Sequence, residues 1–351
     1  MHPGVINALL AALLFGASTP LARLLVGEMP PVLLAGLLYL GSGVGLGLVR
    51  LFRRRRQPQV ALARADWPWL LGAILFGGVL GPVALMVGLT QLGGATASLL
   101  LNLEAVLTAL IAWGVFRENA DRRVVLGMAA IVLGGVLLAW PNGAGGPAVA
   151  PTGGVLAVAL ACLCWAIDNN LTRKASAADA LFIASTKGLV AGSVNTLLAL
   201  TLGAALPAMG LFGLTLLLGL LGYGLSLVLF VLALRSLGTA RTGAYFSTAP
   251  FAGAALALVL PGETVVGPLF WIAAALMALG VWLHLSEHHE HEHTHEVLEH
   301  AHAHVHDEHH QHAHEALGDG REPHLHLHRH EVLTHKHPHY PDLHHRHGHG
   351  H

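Results

Sequence analysis

Two segments far apart in the chain read as copies of one another, and both lie in apolar runs. LLFGASTPLARLL (13–25) and LCWAIDNNLTRKA (163–175) each carry apolar residues, an aromatic (Phe15, Trp165), a small or polar break, then Leu and Arg (Arg23, Arg173). LGGATASLLLNLEAVLTALIAWGVFRE (92–118) aligns without gaps with LGTARTGAYFSTAPFAGAALALVLPGE (237–263). A duplicated, almost wholly hydrophobic chain points to two related halves embedded in lipid, the sequence pattern of membrane transporters.

Composition sharpens the boundary. Of the 351 residues, 54% are hydrophobic and 11% charged, about half the charge of a soluble domain. Residues before 286 hold 15 Lys/Arg and 8 Asp/Glu and are basic; the rest hold 4 and 12, with 25 of the 27 histidines. Cys162 and Cys164 point to nearly opposite faces of one helix and read as small apolar fillers. The first apolar run has no Lys or Arg before it, so it reads as a retained span, not a signal peptide.

Ten runs of about 20 residues suffice to cross a bilayer: roughly 5–25, 31–51, 68–90, 94–116, 123–140, 153–172, 179–203, 208–234, 239–260 and 267–285. Every second loop is cationic. The loops carry Arg50, Arg53–Arg56 and Arg64, then Arg117, Arg122 and Arg123, then Arg173 and Lys174, then Arg235 and Arg241. The alternate loops hold only Glu28 and Glu263. The positive-inside rule places both termini in the cytoplasm. Five spans per half is odd, so the halves (1–141 and 153–285, joined by 142–152) run in opposite senses. The expected fold is all-α integral membrane: ten transmembrane helices as two inverted five-helix repeats, plus a disordered, histidine-rich cytoplasmic tail over 286–351.

A family resemblance rests on LLNLEAVLTALIAWGVFRE (100–118) and on its second copy, which keeps Ala249-Pro250 and ends Gly262-Glu263. With ten spans and two repeats, these residues resemble the drug/metabolite transporter superfamily, EamA-like branch, over about residues 5–285. The first copy departs from the pattern, with Ala105 for Pro and Arg117 for Gly. The resemblance implies spans 1–4 and 6–9 around a central cavity, with spans 5 and 10 peripheral.

Charged groups in a span cost roughly 2.5–3.5 kcal/mol each and need a reason. Glu104 falls eleven residues into span 4, near the midplane. Asp168, beside Asn169, and Lys187 fall at similar depths on consecutive spans. They read either as substrate or coupling-ion groups or as a structural ion pair. Glu104 reads as functional. Asn102 lies beside it in sequence, and its second-half counterpart is Ser247, next to Tyr245; all three are candidate lining residues. Asn195 and Gln91 read as helix-to-helix bonds, Arg23 as snorkelling to headgroups, Trp67, Trp69 and Trp140 as interfacial anchors, and Glu118 and Glu263 as loop braces. Pro20 and Pro250 read as kinks within spans.

The tail repeats histidine at every second position: His289, His291, His293 and His295; His300, His302, His304 and His306; His324, His326, His328 and His330. Such spacing sets imidazoles on one side of an extended chain, ligands suited to Zn, Ni, Cu or Co. It serves as a metal buffer, as a pH sensor, or as an expansion without a role.

No histidine occurs between Pro3 and Leu283, so a Ser–His or Cys–His catalytic pair cannot form in the bundle, and an enzyme is not expected. The expected function is a secondary transporter exporting a small organic metabolite or drug against protons through the inner membrane, with divalent metal on the tail and no required cofactor. The alternatives are a Zn/Ni/Co exporter fed by the tail and a non-transporting membrane metal sensor. Expected partners are a small-molecule solute, the lipid bilayer and divalent metal, with a homodimer admissible and nucleic acid excluded.

Overall fold

The computed structural model describes residues 3–54, 62, 64–116, 122–139, 151–175, 179–237, 239–261, 266–285, 290–295, 298–304, 324–330 and 333–338. The chain divides into a helical unit and a second compact unit over residues 288–341.

Seven helical stretches among the described residues are long and apolar enough to cross a membrane: Pro3–Leu25, Pro31–Phe52, Arg64–Gln91, Gly94–Ile111, Thr152–Thr172, Leu181–Thr201 and Met209–Ala233. Shorter apolar helices at Val125–Ala139, Ala249–Val259 and Pro268–Leu283 fall where three further spans are expected. The chain is an integral membrane α-helical protein. Its periphery fits that solvent: Leu126, Leu156 and Leu197 are each more than 60% exposed, while Leu33, Leu34, Leu37, Leu38, Leu85 and Leu89 pack wholly inside.

Several spans are interrupted. Helices α1 (Pro3–Leu25) and α2 (Pro31–Arg54) are continuous. The third crossing is α3 (Trp67–Ala73), a π-helical segment (Ile74–Leu80) and α4 (Gly81–Gln91). The fourth breaks into α5 (Gly94–Leu100) and α6 (Leu103–Phe116). Then come α7 (Arg122–Ala139), α8 (Thr152–Ala175) and α9 (Ala180–Thr201). The next crossing is α10 (Met209–Gly219), a second π-helical segment (Leu220–Leu225) and α11 (Ser226–Leu237). It is followed by α12 (Thr239–Phe246), α13 (Ala249–Val259) and α14 (Pro268–Leu285). The expected uninterrupted spans over 94–116 and 239–260 are therefore corrected. Each is two helices joined by a two-residue turn, at residues 101–102 and 247–248.

Glycine decides which helices meet closely. Gly36 abuts the backbone of Thr196, Gly192 that of Leu40, and Gly43 that of Gly188 and Leu189. Partner numbers fall as position rises, so α2 and α9 run antiparallel. Gly41 and Gly45, on another face of α2, meet Leu216 of α10 and Leu220 of the following π segment. The glycine series 41–47 thus serves two neighbours. With no hydrophobic drive between helices in lipid, such backbone contact is the main source of packing energy. The wider packing has a matching pattern: α1 lies against α11 and α13, while α8 lies against α4 and α6. Helices α7 and α14 pack on each other. Arg50 stacks over the Phe182 ring, 4.6 Å from its centroid, and Trp67 meets the same ring edge-on. This joins the end of α2 to the starts of α3 and α9.

In the second unit, β1 (Glu290–His295) pairs antiparallel with β4 (Leu333–Pro338), and β2 (Leu298–His304) with β3 (His324–His330). These four segments fall within the histidine-rich tail expected over 286–351. Alternation at every second residue is also the period of a strand. His289 and His306, the 142–150 part of the linker, Trp140, Glu118 and Glu263 lie outside the described residues.

Gly43→Val places a branched side chain against the Gly188–Leu189 backbone. It is expected to lower stability by about 1–3 kcal/mol through overpacking, read as a lower thermal unfolding midpoint in detergent, whereas Gly213→Val, whose added carbon meets open space, leaves that midpoint unchanged.

Candidate functional site

The polar interior begins with a proline. Pro82, at the start of α4, has no N–H to give to the backbone. Just before it the chain widens to the π register, with the Gly81 N–H reaching the Phe76 carbonyl. In that register the carbonyl left without a backbone donor by Pro82 is that of Gly77. Two side chains supply it: Tyr39 Oη donates at 2.6 Å and Trp165 Nε1 at 3.0 Å. Asn195 Nδ2 donates to the neighbouring carbonyls of Gly78 and Val79 at 3.4 and 3.3 Å. These bonds hold α2, α8 and α9 to the third crossing. Asn195 behaves as expected; Tyr39 and Pro82 were not singled out by sequence reasoning, although Gly-Pro within an apolar run was a readable signal.

Helix α8 presents Trp165, Asp168, Asn169 and Thr172 on adjoining faces. Asp168 is buried and forms an ion pair with the buried Lys187 of α9. Its other oxygen accepts from Thr172 Oγ1 at 2.9 Å. The carboxylate lies against Gly77, where a Cβ would collide with it. One residue further round the helix, Asn169 is exposed. Its amide donates to Glu104 Oε1 at 2.8 Å and approaches Thr108 Oγ1 at 3.5 Å. Asn170 donates to the Ala166 carbonyl at 2.8 Å and to that of Thr108 at 3.4 Å. Glu104 itself is half-buried, so the Glu104–Asn169 pair is the accessible part of this polar region.

Glu104 does not lie in mid-helix, as a continuous span would have it. It sits in the first turn of α6, just past the break. The backbone across the break stays bonded, Asn102 N–H to Leu99 O and Glu104 N–H to Leu101 O. In the alignment that sets residue 92 on residue 237, Asn102 falls on Ser247, which lies in the second break. There Ser247 N–H bonds Gly243 O and Thr248 N–H bonds Tyr245 O. Tyr245 and Ser247 are half-buried. The same alignment, extended, sets Gly77 on Gly222. Gly222 lies in the second π segment, with Ser18 of α1 packed against it. Pro250 is a further correction: it stands in the first turn of α13, where a missing N–H costs nothing.

Pro20 lies inside the continuous helix α1 and removes one of its backbone donors. The carbonyl it deprives is that of Gly16, four residues back, and this oxygen faces Gly253 of α13. Around it stands an aromatic cluster. Phe15 meets Trp165, Tyr223 and Phe246 with centroids 5.9, 6.0 and 5.5 Å apart, and Tyr39 meets Tyr223 at 5.3 Å.

Other expectations separate from the site. Asn102 is buried away from Glu104, its amide donating to Leu99 O at 2.9 Å and approaching Met277 Sδ of α14 at 3.8 Å. Arg23 does not snorkel freely: its Nε donates to the Leu92 carbonyl at the end of α4, at 3.0 Å. Cys162 and Cys164 are both buried thiols. Among the described residues no three His, Cys, Asp or Glu side chains gather as a metal set.

The EamA-like transporter family profile matches residues 2–140. An archaeal protein of Methanothermobacter thermautotrophicus, described as an uncharacterized transporter, is 28% identical over 275 residues, covering 74% of this chain and 80% of its own. The probable 4-amino-4-deoxy-L-arabinose-phosphoundecaprenol flippase subunit ArnE of Pseudomonas fluorescens is 42% identical over 86 residues, 24% of this chain and 72% of its own. A solved crystal structure superposes with a TM-score of 0.56 at 22% identity, over 79% of this chain and 95% of its own, a likeness of fold alone.

The Asp168–Lys187 pair has a thermodynamic signature. Lys187→Met or Asp168→Asn alone strands a buried charge and is expected to cost about 3–5 kcal/mol. The double variant, Asp168→Asn with Lys187→Met, is expected to recover most of that loss. Thermal unfolding in detergent of the three variants checks the cycle.

Proposed function

The chain belongs to the EamA-like transporter family and is a multi-pass membrane transporter; from that premise we propose that it carries a small organic solute outward by alternating access, exchanging it for protons on Glu104. The observation that carries this reading is a contrast between two carboxylates. Asp168 is neutralised by Lys187 and saturated by Thr172. Glu104 is half-buried and held by a neutral amide, that of Asn169. An amide side chain carries both a donor and an acceptor, so it can serve an ionised carboxylate or, turned over, a protonated one. A lysine offers donors only.

The reading takes the helical unit as two inverted five-helix repeats, residues 1–141 and 153–285. The reciprocal packing of α1 on α11 and α13, and of α8 on α4 and α6, supports it. So do paired π segments and helix breaks at corresponding points of the two halves. Transporters of this build bind at discontinuous helices near the repeat interface. The substrate groups are accordingly Glu104 and Asn169, with Tyr245 and Ser247 at the second break. Asp168 and Lys187 brace that site, and Asn102 drops out of it. The alternation of cationic loops supports both termini on the cytoplasmic side of an inner membrane.

A divalent-metal exporter fed by the tail is the second reading, favoured by the histidine series. The helical unit speaks against it: among its described residues no three His, Cys, Asp or Glu side chains gather as a metal set.

The test is uptake into proteoliposomes with an imposed pH gradient, screening metabolites, drugs and divalent metals. Glu104→Gln is expected to abolish gradient-driven flux while the protein still inserts and unfolds at the wild-type temperature; wild-type flux in that variant removes Glu104 from the mechanism. Deleting residues 286–351 is expected to leave organic-solute flux intact, whereas a tail-fed metal exporter would lose apparent affinity.

A further inference from the structure

Two carbonyls in the helical unit lose a backbone donor to proline, and they are answered differently. That of Gly77, freed by Pro82, is met by Tyr39 and Trp165. That of Gly16, freed by Pro20, lies where α1 crosses α5 and α13. The place a Cβ would take on Gly253 of α13 is 2.6 Å from this carbonyl oxygen and 2.8 Å from Ser98 Oγ of α5. The two oxygens are therefore neighbours, yet the Ser98 hydroxyl is buried and bonds to no described group. Thr19, one turn after Gly16, is also buried with its hydroxyl unpartnered among the described residues. It shares a stripe of α1 with Gly16 and Arg23, and Arg23 reaches the Leu92 carbonyl just ahead of α5. The stripe faces α5 and α13, so three oxygens converge at the crossing.

The alignments of 13–25 with 163–175 and of 92–118 with 237–263 identify the counterpart of this crossing. They set Thr19 on Asn169, Pro20 on Asn170, Ala249 on Glu104 and Gly253 on Thr108. The contacts correspond as well. Where α8 crosses α6, the Asn170 amide ties the carbonyls of Ala166 and Thr108, and Asn169 bonds Glu104. Where α1 crosses α13, Gly16 meets Ala249 and Gly253. There proline stands in place of the tying amide, and alanine in place of the carboxylate. What is left is a carbonyl and hydroxyls without the groups that would bond them, a costly arrangement within lipid.

We propose that one buried water molecule binds at the crossing of α1, α5 and α13, donating to the Gly16 carbonyl and sharing hydrogen bonds with the hydroxyls of Ser98 and Thr19. A cation would need a counter-charge in this setting, and α1, α5 and α13 contain no Asp or Glu. Water brings two donors and two acceptors. Its bonds of about 2.7–2.8 Å suffice to bridge oxygens this close, and buried waters commonly join about three polar groups. The water ties α1 to its neighbours through exchangeable bonds, where the counterpart crossing uses amides and a carboxylate. The proposal does not depend on the transport reading, and the failure of either leaves the other standing.

The sign of a stability change separates a hydrated hydroxyl from a dry one. Replacing a buried hydroxyl that has no partner by an apolar group relieves a penalty and raises the unfolding midpoint. Replacing one that holds a water lowers the midpoint, because the water loses a partner. In the full-length protein in detergent, Thr19→Val and Ser98→Ala are each expected to lower the thermal midpoint by about 2 °C. Pro20→Ala gives the Gly16 carbonyl its backbone donor, so on that background neither change is expected to lower the midpoint further. A crystal or cryo-EM map fine enough to show ordered waters is expected to hold one between Gly16 O and Ser98 Oγ. A midpoint raised by either single variant overturns the proposal, and so does a loss that Pro20→Ala leaves unchanged. A map in which Ser98 bonds Gly16 directly, with no water between them, overturns it as well.

Discussion

The carbonyl of Gly77 accepts from Tyr39 of α2 and from Trp165 of α8, and much of the helical unit is organised by that shared acceptor. In lipid no water is at hand to satisfy a freed backbone group, which costs several kcal/mol if left alone. Pro82 frees one by lacking an N–H. The answer is found in side chains from two other helices, with the Asn195 amide covering the next two carbonyls. A local defect in one crossing thus dictates which helices must gather around it and at what depth. The same rule explains the glycines. An oxygen deprived of its donor by Pro20 sits at Gly16, and only a residue as small as Gly253 allows α13 to approach it.

Defects of this kind also place the chemistry. The turn at 101–102 starts a new helix within the apolar interior, and Glu104 occupies its first turn. A helix start offers partial positive charge and N–H groups not used within the helix. A carboxylate there needs no lysine to be tolerated. Asp168, on an unbroken helix and packed against Gly77, has no such help and is met by Lys187. The two carboxylates are separated in role by backbone geometry, not by residue type.

What was legible in the sequence follows from what each signal measures. Apolar run length measures the bilayer, so every expected crossing coincides with an apolar helical stretch. The gap-free alignment of 92–118 with 237–263 sets the breaks at 101–102 and 247–248 within one residue of each other, although neither was read from it. Hydropathy does not register a break when the turn residues are as apolar as the helix: Leu101 sits between leucines. This is why Glu104 was read as mid-helix and Asn102 as its neighbour. A turn rotates consecutive residues apart, and Asn102 ends up facing Met277. Asn169 and Asp168 show the converse. On a regular helix, adjacency in sequence means divergence by about 100°, so one reaches α6 and the other α9. Tyr39 escaped notice because a lone tyrosine in a leucine run has no periodic partner; its role exists only once Pro82 has opened the third crossing. In the tail, the alternation read as a ligand pattern on an extended chain also has the period of a strand.

The proposed alternating access demands that a bound charge be released at each face, and this restricts which groups can serve. A saturated ion pair such as Asp168–Lys187 cannot exchange a ligand without breaking bonds worth more than the ligand returns. It holds α8 to α9, with the carboxylate against Gly77 of the π segment. The Glu104–Asn169 contact joins α6 to α8 through one hydrogen bond from an uncharged amide, beside the longer contacts of Asn169 and Asn170 with Thr108. Within membranes such a bond contributes only about 0.6 kcal/mol on average. A contact this weak can open and re-form, as the proposed cycle requires. Beside it, the aromatic faces around Phe15 come from α1, α8, the second π segment and α12. Of these, Phe246 adjoins the second helix break.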